Sequence, residues 1–132
     1  MAYLKPPWFI AKIFNPIAMA LGISDTETLT VIKRGSKEPQ NIPVVTVDIE
    51  GIKYLVSTRG ESQWVKNVRA NPNVTISKRS GTHTYVASEV PIGSRNAILV
   101  AYQKKAGRVV EGYFRKLPDE VDHPVFALTL TG

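Results

Sequence analysis

Apolar residues follow two rhythms along this chain. Near the start, Trp8, Phe9, Ile13, Phe14, Ile17, Met19, Ala20 and Leu21 crowd one segment, and Pro6-Pro7 ahead of them suits the first turn of a helix. The expectation is an apolar helical segment over 1–24, kinked at Pro16 and ended by Gly22. It is too short and broken to span a bilayer, so it packs on the core, covers a pocket or lies on a membrane surface. Only Lys5 precedes it, Lys12 interrupts it and no small-residue cleavage site follows, so it is not read as a secretory signal.

From Thr28 the period becomes two. Thr28 to Arg34 predicts a first strand, Ile42 to Ile49 a second and Ile52 to Thr58 a third, with Glu50-Gly51 as a tight turn. Thr58-Arg59-Gly60-Glu61 has capping-box spacing, and Trp64, Val65 and Val68 share a helical face, which predicts a helix from about Glu61 to Ala70. Val74–Lys78 and Thr82–Val90 predict two more strands. Ser94 then caps a helix running to about Lys105 and ended by Gly107. Gly112 to Asp122 reads as irregular or partly helical, and Val125–Leu130 as the last strand. The sum is a mainly β, α+β domain over 1–132. About six antiparallel strands form a small barrel over 25–132, with the N-terminal helix and two further helices.

Composition narrows the chemistry. The 132 residues carry 17 Lys+Arg against 11 Asp+Glu, a net charge of +6. Without cysteine there is no disulfide scaffold, thiolate metal site or cysteine nucleophile, and the chain suits a reducing compartment. His83 and His123 lack partners at metal-ligand spacing, so no metal is expected. No nucleophile elbow, dinucleotide fingerprint or Walker loop occurs, and Asn73-Val74-Thr75 is read as a chance sequon. No nucleic-acid motif accompanies the basic residues, so nucleic acid is not expected as a partner.

The basic residues have an arrangement of their own. Lys33, Arg34, Lys37, Lys53, Arg59, Lys66, Arg69, Lys78 and Arg79 occupy one stretch. Two of its loops, Lys33 to Asn41 and Ser57 to Gln63, combine cations with Gly, Ser or Thr, a mixture suited to phosphate. The helix expected after Arg59-Gly60 would add its dipole and first-turn amides. Trp64 would either stack on a flat ring or fill the core.

The stretch from Ser57 through Arg59-Gly60-Glu61-Ser62-Gln63-Trp64 and Asn67 to Ala70 resembles the signature of the deazaflavin-dependent nitroreductase-like proteins, members of the split β-barrel flavin and deazaflavin oxidoreductases. Arg34-Gly35-Ser36-Lys37, Ile98 to Tyr102 and His123-Pro124-Val125-Phe126 add to the likeness, which covers roughly 25–130. It implies a split barrel binding coenzyme F-420 and passing its hydride to a quinone, nitroaromatic, unsaturated lipid or enoyl-like acceptor. Arg34 and Ser36 fall on the implied phosphate-binding loop, Arg59 beside the deazaflavin and Thr58, Gly60, Trp64 and Asn67 around its ring, with Lys37, Gln40 and Gln63 as further cofactor-binding candidates. Gly35 and Gln40 depart from the family's usual basic residues. Tyr102, Tyr113 and Tyr85 are candidate proton donors. Trp8, Phe14, Tyr113 and Phe114 are expected to wall a pocket for a small hydrophobic acceptor. FMN in place of F-420, or a lipid carrier without redox activity, are the alternatives. A cytoplasmic location is expected, with peripheral membrane contact through the N-terminal helix as a variant. A dimer is left open.

Overall fold

The computed structural model of the chain describes residues 26–78 and 80–131. The expected N-terminal helix, with Trp8 and Phe14, lies outside the described residues. The strands are β1 (Glu27–Ile32), β2 (Pro39–Val44), β3 (Val47–Ile49), β4 (Ile52–Val56), β5 (Asn73–Lys78), β6 (Gly81–Glu89) and β7 (Val125–Leu130). They form one antiparallel sheet in the order β2-β1-β5-β6-β7-β4-β3. The helices are α1 (Gln63–Ala70), α2 (Asn96–Ala106) and α3 (Arg108–Lys116), with short 3-10 turns at Ile92–Ser94 and Glu120–Asp122.

The run expected as one strand over Ile42–Ile49 is two strands at opposite edges of the sheet, which makes seven strands among the described residues where about six were expected. The reason is visible in the packing. Val44, Val45, Thr46 and Val47 are all buried, whereas a strand with one solvated face buries alternate residues. Val44 joins the core inside the sheet, while Val45 and Val47 join a second core beneath α2 and α3. The chain therefore crosses from one sheet edge to the other at Val45-Thr46, and the sheet curls to let it.

The inner core gathers Leu29, Val31, Leu55, Val74, Ile76 and Phe126 from the strands with Trp64, Val65 and Val68 from α1. An isolated helix as short as α1 is marginal in water, so this apolar face holds it, at about 1.5–3 kcal/mol per fully buried large side chain. The second core sets Val56 and Val125 against Ile98, Leu99, Tyr102 and Val110. Thus Leu55-Val56 of β4 and Val125-Phe126 of β7 put neighbouring side chains into the two cores. Glu50 and Gly51 both take positive φ, 50° and 82°, as a twisted two-residue hairpin requires.

One further expectation is sharpened and one corrected. The stretch read as irregular or partly helical from Gly112 to Asp122 is partly helical, but its helix does not begin there: α3 runs from Arg108 to Lys116, and a 3-10 turn follows at Glu120–Asp122. Gly107, at φ 69°, reverses the chain, and the helical stripe resumes at Val110, Tyr113, Phe114 and Leu117. Nor is Thr58–Glu61 a capping box. Ser62 is the N-cap of α1, and the Glu61 carboxylate is taken by Arg69.

Candidate functional site

Two openings lie side by side on the sheet and α1. The larger, about 400 Å³, is lined by Lys33, Arg34, Gly35, Ser36, Gln40, Gln63 and Asn67. The smaller is a cleft with about 30 Å³ of free volume. Ile42, Pro43, Val44, Val45 and Val56 form its apolar wall, and Ser57, Thr58, Arg59, Trp64, Tyr102 and Tyr113 complete it. Gln40 and Ile42 on β2, and Gln63 and Trp64 on α1, place the two next to each other.

Hydrogen-bond direction decides what the larger pocket can hold. A guanidinium only donates. Asn67 therefore turns its Oδ1 to Arg34, accepting from the backbone N at 3.1 Å and Nη1 at 2.8 Å. Its Nδ2 must then donate elsewhere, and does so to Gln40 Oε1 at 2.9 Å. Gln63 Oε1 accepts from Arg34 Nη2 at 2.7 Å. Each side-chain amide oxygen lining the pocket thus already accepts from a neighbouring side chain. What remains to face a ligand is the amide groups of Gln40 and Gln63, the Arg34 and Lys33 cations and the Ser36 hydroxyl. No carboxylate lines the pocket, and among the described residues Lys33, Arg34, Lys37, Arg59 and Lys66 make no ion pair. Such a pocket suits an anion.

Asn67 carries much of this. It is 3% exposed, a polar residue on the same face of α1 as Trp64, Val65 and Val68. Burying an amide there is tolerable because its oxygen and nitrogen are both satisfied. The loop opposite is closed by Lys33 N to Glu38 O at 2.8 Å and Lys37 N to Lys33 O at 3.0 Å, with Lys37 at φ 66°. Lys37 does not line the pocket; its Nζ returns to Arg34 O at 3.2 Å.

The expected meeting of Arg59 with the helix N-terminus is arranged differently. The first turn of α1 faces the larger pocket through Gln63, whereas Arg59 lines the cleft. Between them the chain turns at Gly60, φ 83°, with Ser62 N donating to Gly60 O at 2.8 Å. The Ser62 hydroxyl is buried and, among the described residues, the one buried side-chain polar group without a partner. In the cleft, Trp64 tilts against Phe126 at 6.0 Å. Burial pushes the Tyr102 phenol well above the usual range, and neighbouring Tyr113 adds to the shift. Phe114 lines neither opening; it stacks on His123, ring centres 4.1 Å apart. Tyr85 also lies outside both, packed on the inner core from β6.

The sequence reading gave no role to Arg95 or to His123 beyond its place in the resemblance. Arg95 is 5% exposed and spreads its fork over Val90 O, Glu120 O, His123 O and Glu89 Oε2. His123 is fully buried, with Nδ1 2.8 Å from Ser57 O and Nε2 2.5 Å from Leu117 O. The signal that could have found them is an arginine six residues after Glu89, ahead of the apolar run of α2, and a histidine directly before a buried strand.

The sequence profile of F420H(2)-dependent quinone reductases matches residues 11–118. No curated protein matches the chain. Solved structures share its fold at low identity. An F420-H2-dependent reductase, FDR-A, is 20% identical at a TM-score of 0.62, covering 80% of this chain and 94% of its own. A protein described as a domain-swapped dimer is 19% identical at 0.61, over 80% of each chain. The haem storage protein HutZ from Vibrio cholerae is 16% identical at 0.62, over 82% of each. These neighbours use one fold for different ligands, so the fold by itself does not choose the cofactor. The profile match spans most of the chain and includes both openings: the chain belongs to the F420H(2)-dependent quinone reductase family.

Proposed function

We propose that this chain is a reductase that takes a hydride from reduced coenzyme F-420 and delivers it to a small hydrophobic acceptor, foremost a quinone, with nitroaromatic, unsaturated-lipid and enoyl-like acceptors in the same class. The observation that carries this reading is the pocket of cations and leftover donors set beside an apolar, aromatic cleft. That pairing suits a ligand with an anionic tail and a flat ring. Lys33, Arg34, Ser36, Gln40, Gln63 and Asn67 would hold and orient the tail, while Thr58, Arg59, Gly60 and Trp64 would border the ring. When bound, the deazaflavin supplies a hydride from its C5 position.

The protein's own part is positioning, exclusion of water and delivery of a proton. Ile42, Val44, Val45 and Val56 keep the cleft wall apolar. Reduction of a quinone to the hydroquinone takes one hydride and one proton. Tyr102 and Tyr113 border the cleft and carry phenol protons, and burial, by raising the Tyr102 pKa, makes Tyr102 a weaker acid than an ordinary tyrosine. Titration with oxidised F-420 and with FMN, followed by quinone reduction with reduced F-420, tests the reading. Tight F-420 binding with turnover is expected; FMN binding without F-420 binding would transfer the chemistry to a flavin.

A cytoplasmic single domain and a dimer belong to the same proposal. Support for the dimer is the neighbour described as domain-swapped, and light scattering on a sizing column tests it. Among the described residues no helix is long and apolar enough to cross a membrane. A membrane or pocket-covering role for the segment with Trp8 and Phe14 is tested by truncation to Ser24, read by vesicle binding and quinone turnover.

A further inference from the structure

The turn Ser57–Ser62 carries Thr58 and Arg59 to the cleft, and it is held from both ends by one connected set of polar groups. At its start, Ser57 N donates to Pro124 O at 2.9 Å and Ser57 O faces His123 Nδ1 at 2.8 Å. Inside it, Ser57 Oγ donates to Gly60 O at 2.6 Å. At its end, Glu61, 6% exposed, is gripped by both terminal nitrogens of Arg69. Arg69 also holds Glu89, Nε to Oε1 at 2.9 Å and Nη2 to Oε2 at 2.7 Å. Glu89 Oε2 in turn accepts from Arg95 Nη2 at 3.2 Å, and Arg95 Nη1 lies 3.4 Å from His123 O. The path runs Glu61, Arg69, Glu89, Arg95, His123, Ser57, and so returns to the turn where it began.

Buried ion pairs seldom maximise stability, since apolar side chains of similar volume often serve as well. Here Glu61, Arg95 and His123 are all buried around one turn, whose Ser57, Thr58, Gly60 and Ser62 are buried too. Arg59 alone on that turn is partly exposed, and it lines the cleft. The set therefore fixes the direction of one functional side chain. We infer that Arg95 and His123 are positioning residues, which act through the Ser57–Ser62 turn to aim Arg59 into the cleft. Neither lines the two openings. The inference rests on the reading that the cleft takes the deazaflavin ring.

A double-mutant cycle between Arg95→Lys and Arg59→Ala tests it, with F-420 affinity measured by fluorescence and referred to the folded fraction from urea unfolding. Lysine keeps the charge but cannot replace the fork that reaches Glu89, Val90 and Glu120 together. Arg95→Lys is expected to weaken F-420 about tenfold with Arg59 present and less than about twofold without it. Additive effects would overturn the inference. Should Arg95→Lys fail to fold, Glu89→Gln breaks the same path from its more exposed member and takes its place in the cycle. Amide hydrogen exchange on the ligand-free protein separates this inference from the cofactor reading. Faster exchange at Gly60 and Glu61 in the variant, with β1 and β5 unchanged, supports the positioning role even if F-420 proves not to bind. Unchanged exchange at those amides sinks it whatever the cofactor.

Discussion

The two halves of the candidate site are built in opposite ways. The Lys33–Gln40 loop is exposed, and neutral amides hold its arginine, so the positive charge stays uncompensated. The Ser57–Ser62 turn is buried, and carboxylates meet the arginines around it, so their charge is cancelled within the fold. The contrast gives a rule for reading arginines in this chain. One held by Asn67 and Gln63 has charge left for a ligand, and one held by Glu61 or Glu89 has spent it on shape.

The sharpest break of this contrast removes Arg95. Arg95→Ala leaves Glu89 paired with Arg69 but strips the donor from the Val90 and Glu120 carbonyls and empties the space beside His123. A loss of about 3–5 kcal/mol is expected in urea unfolding, at about 1–3 kcal/mol for each buried acceptor left unmade plus the lost packing. A loss below about 1 kcal/mol would mean that the charge set is idle. Arg34→Ala should show the reverse profile. F-420 affinity should fall by about 1.5–3 kcal/mol, the usual worth of hydrogen bonds to a charged group. Stability should move by less than about 1 kcal/mol, because the side chain is exposed. Fluorescence titration and urea unfolding of the same sample check both halves.

Acid gives a smaller effect. The hydrogen bond from Arg69 holds the Glu89 carboxyl below its ordinary value of 4.5, with the Arg69 and Arg95 charges adding to it. A depressed carboxyl stabilises the fold above its unfolded value and loses that contribution as pH falls through its folded value. Glu89→Gln should therefore flatten the decline of stability below about pH 4.5. The difference should stay under about 1 kcal/mol for a carboxylate still partly open to water. Equal slopes for variant and parent, from unfolding curves between neutral and acid pH, would contradict the pairing. The smallest effect concerns Gln40. Gln40→Ala frees the Asn67 amide to turn, and F-420 binding should weaken by about 0.5–1 kcal/mol. An unchanged affinity would show that Asn67 needs no partner on β2.

Local pattern shows in the sequence where one face of a strand is solvated. The alternation around Leu29 and Val31 marks β1, and Val74 and Ile76 mark β5. It fails at Val44–Val47, where both neighbouring faces are buried and the run looks like one strand. At Gly107 the stop signal was read correctly, but a stop does not reveal that the next residues restart a helix. Thr58–Glu61 offered a local partner for a carboxylate that a distant arginine claims. Within the site, the family signature pointed to Arg34, Gln63 and Asn67 and marked Gln40 as a departure, whereas their donor order is a three-dimensional fact. Arg95 carried no such signature, and the resemblance noted His123 without its contacts, because their partners are mostly backbone carbonyls, which leave no mark in sequence.

The crossing at Val45-Thr46 has a further consequence. Among the described residues β2 and β3 are the sheet's two outer strands, and the chain itself, not a ladder of hydrogen bonds, ties one rim to the other. Each rim would invite a foreign strand if left bare. On β2 the prolines at 39 and 43 remove two backbone donors, and β3 is only three residues long. A break in the chain at the buried Val45-Thr46 bond would unbuckle this belt and free the rims to swing apart. Cleavage there should turn a well-behaved protein into one that associates edge to edge.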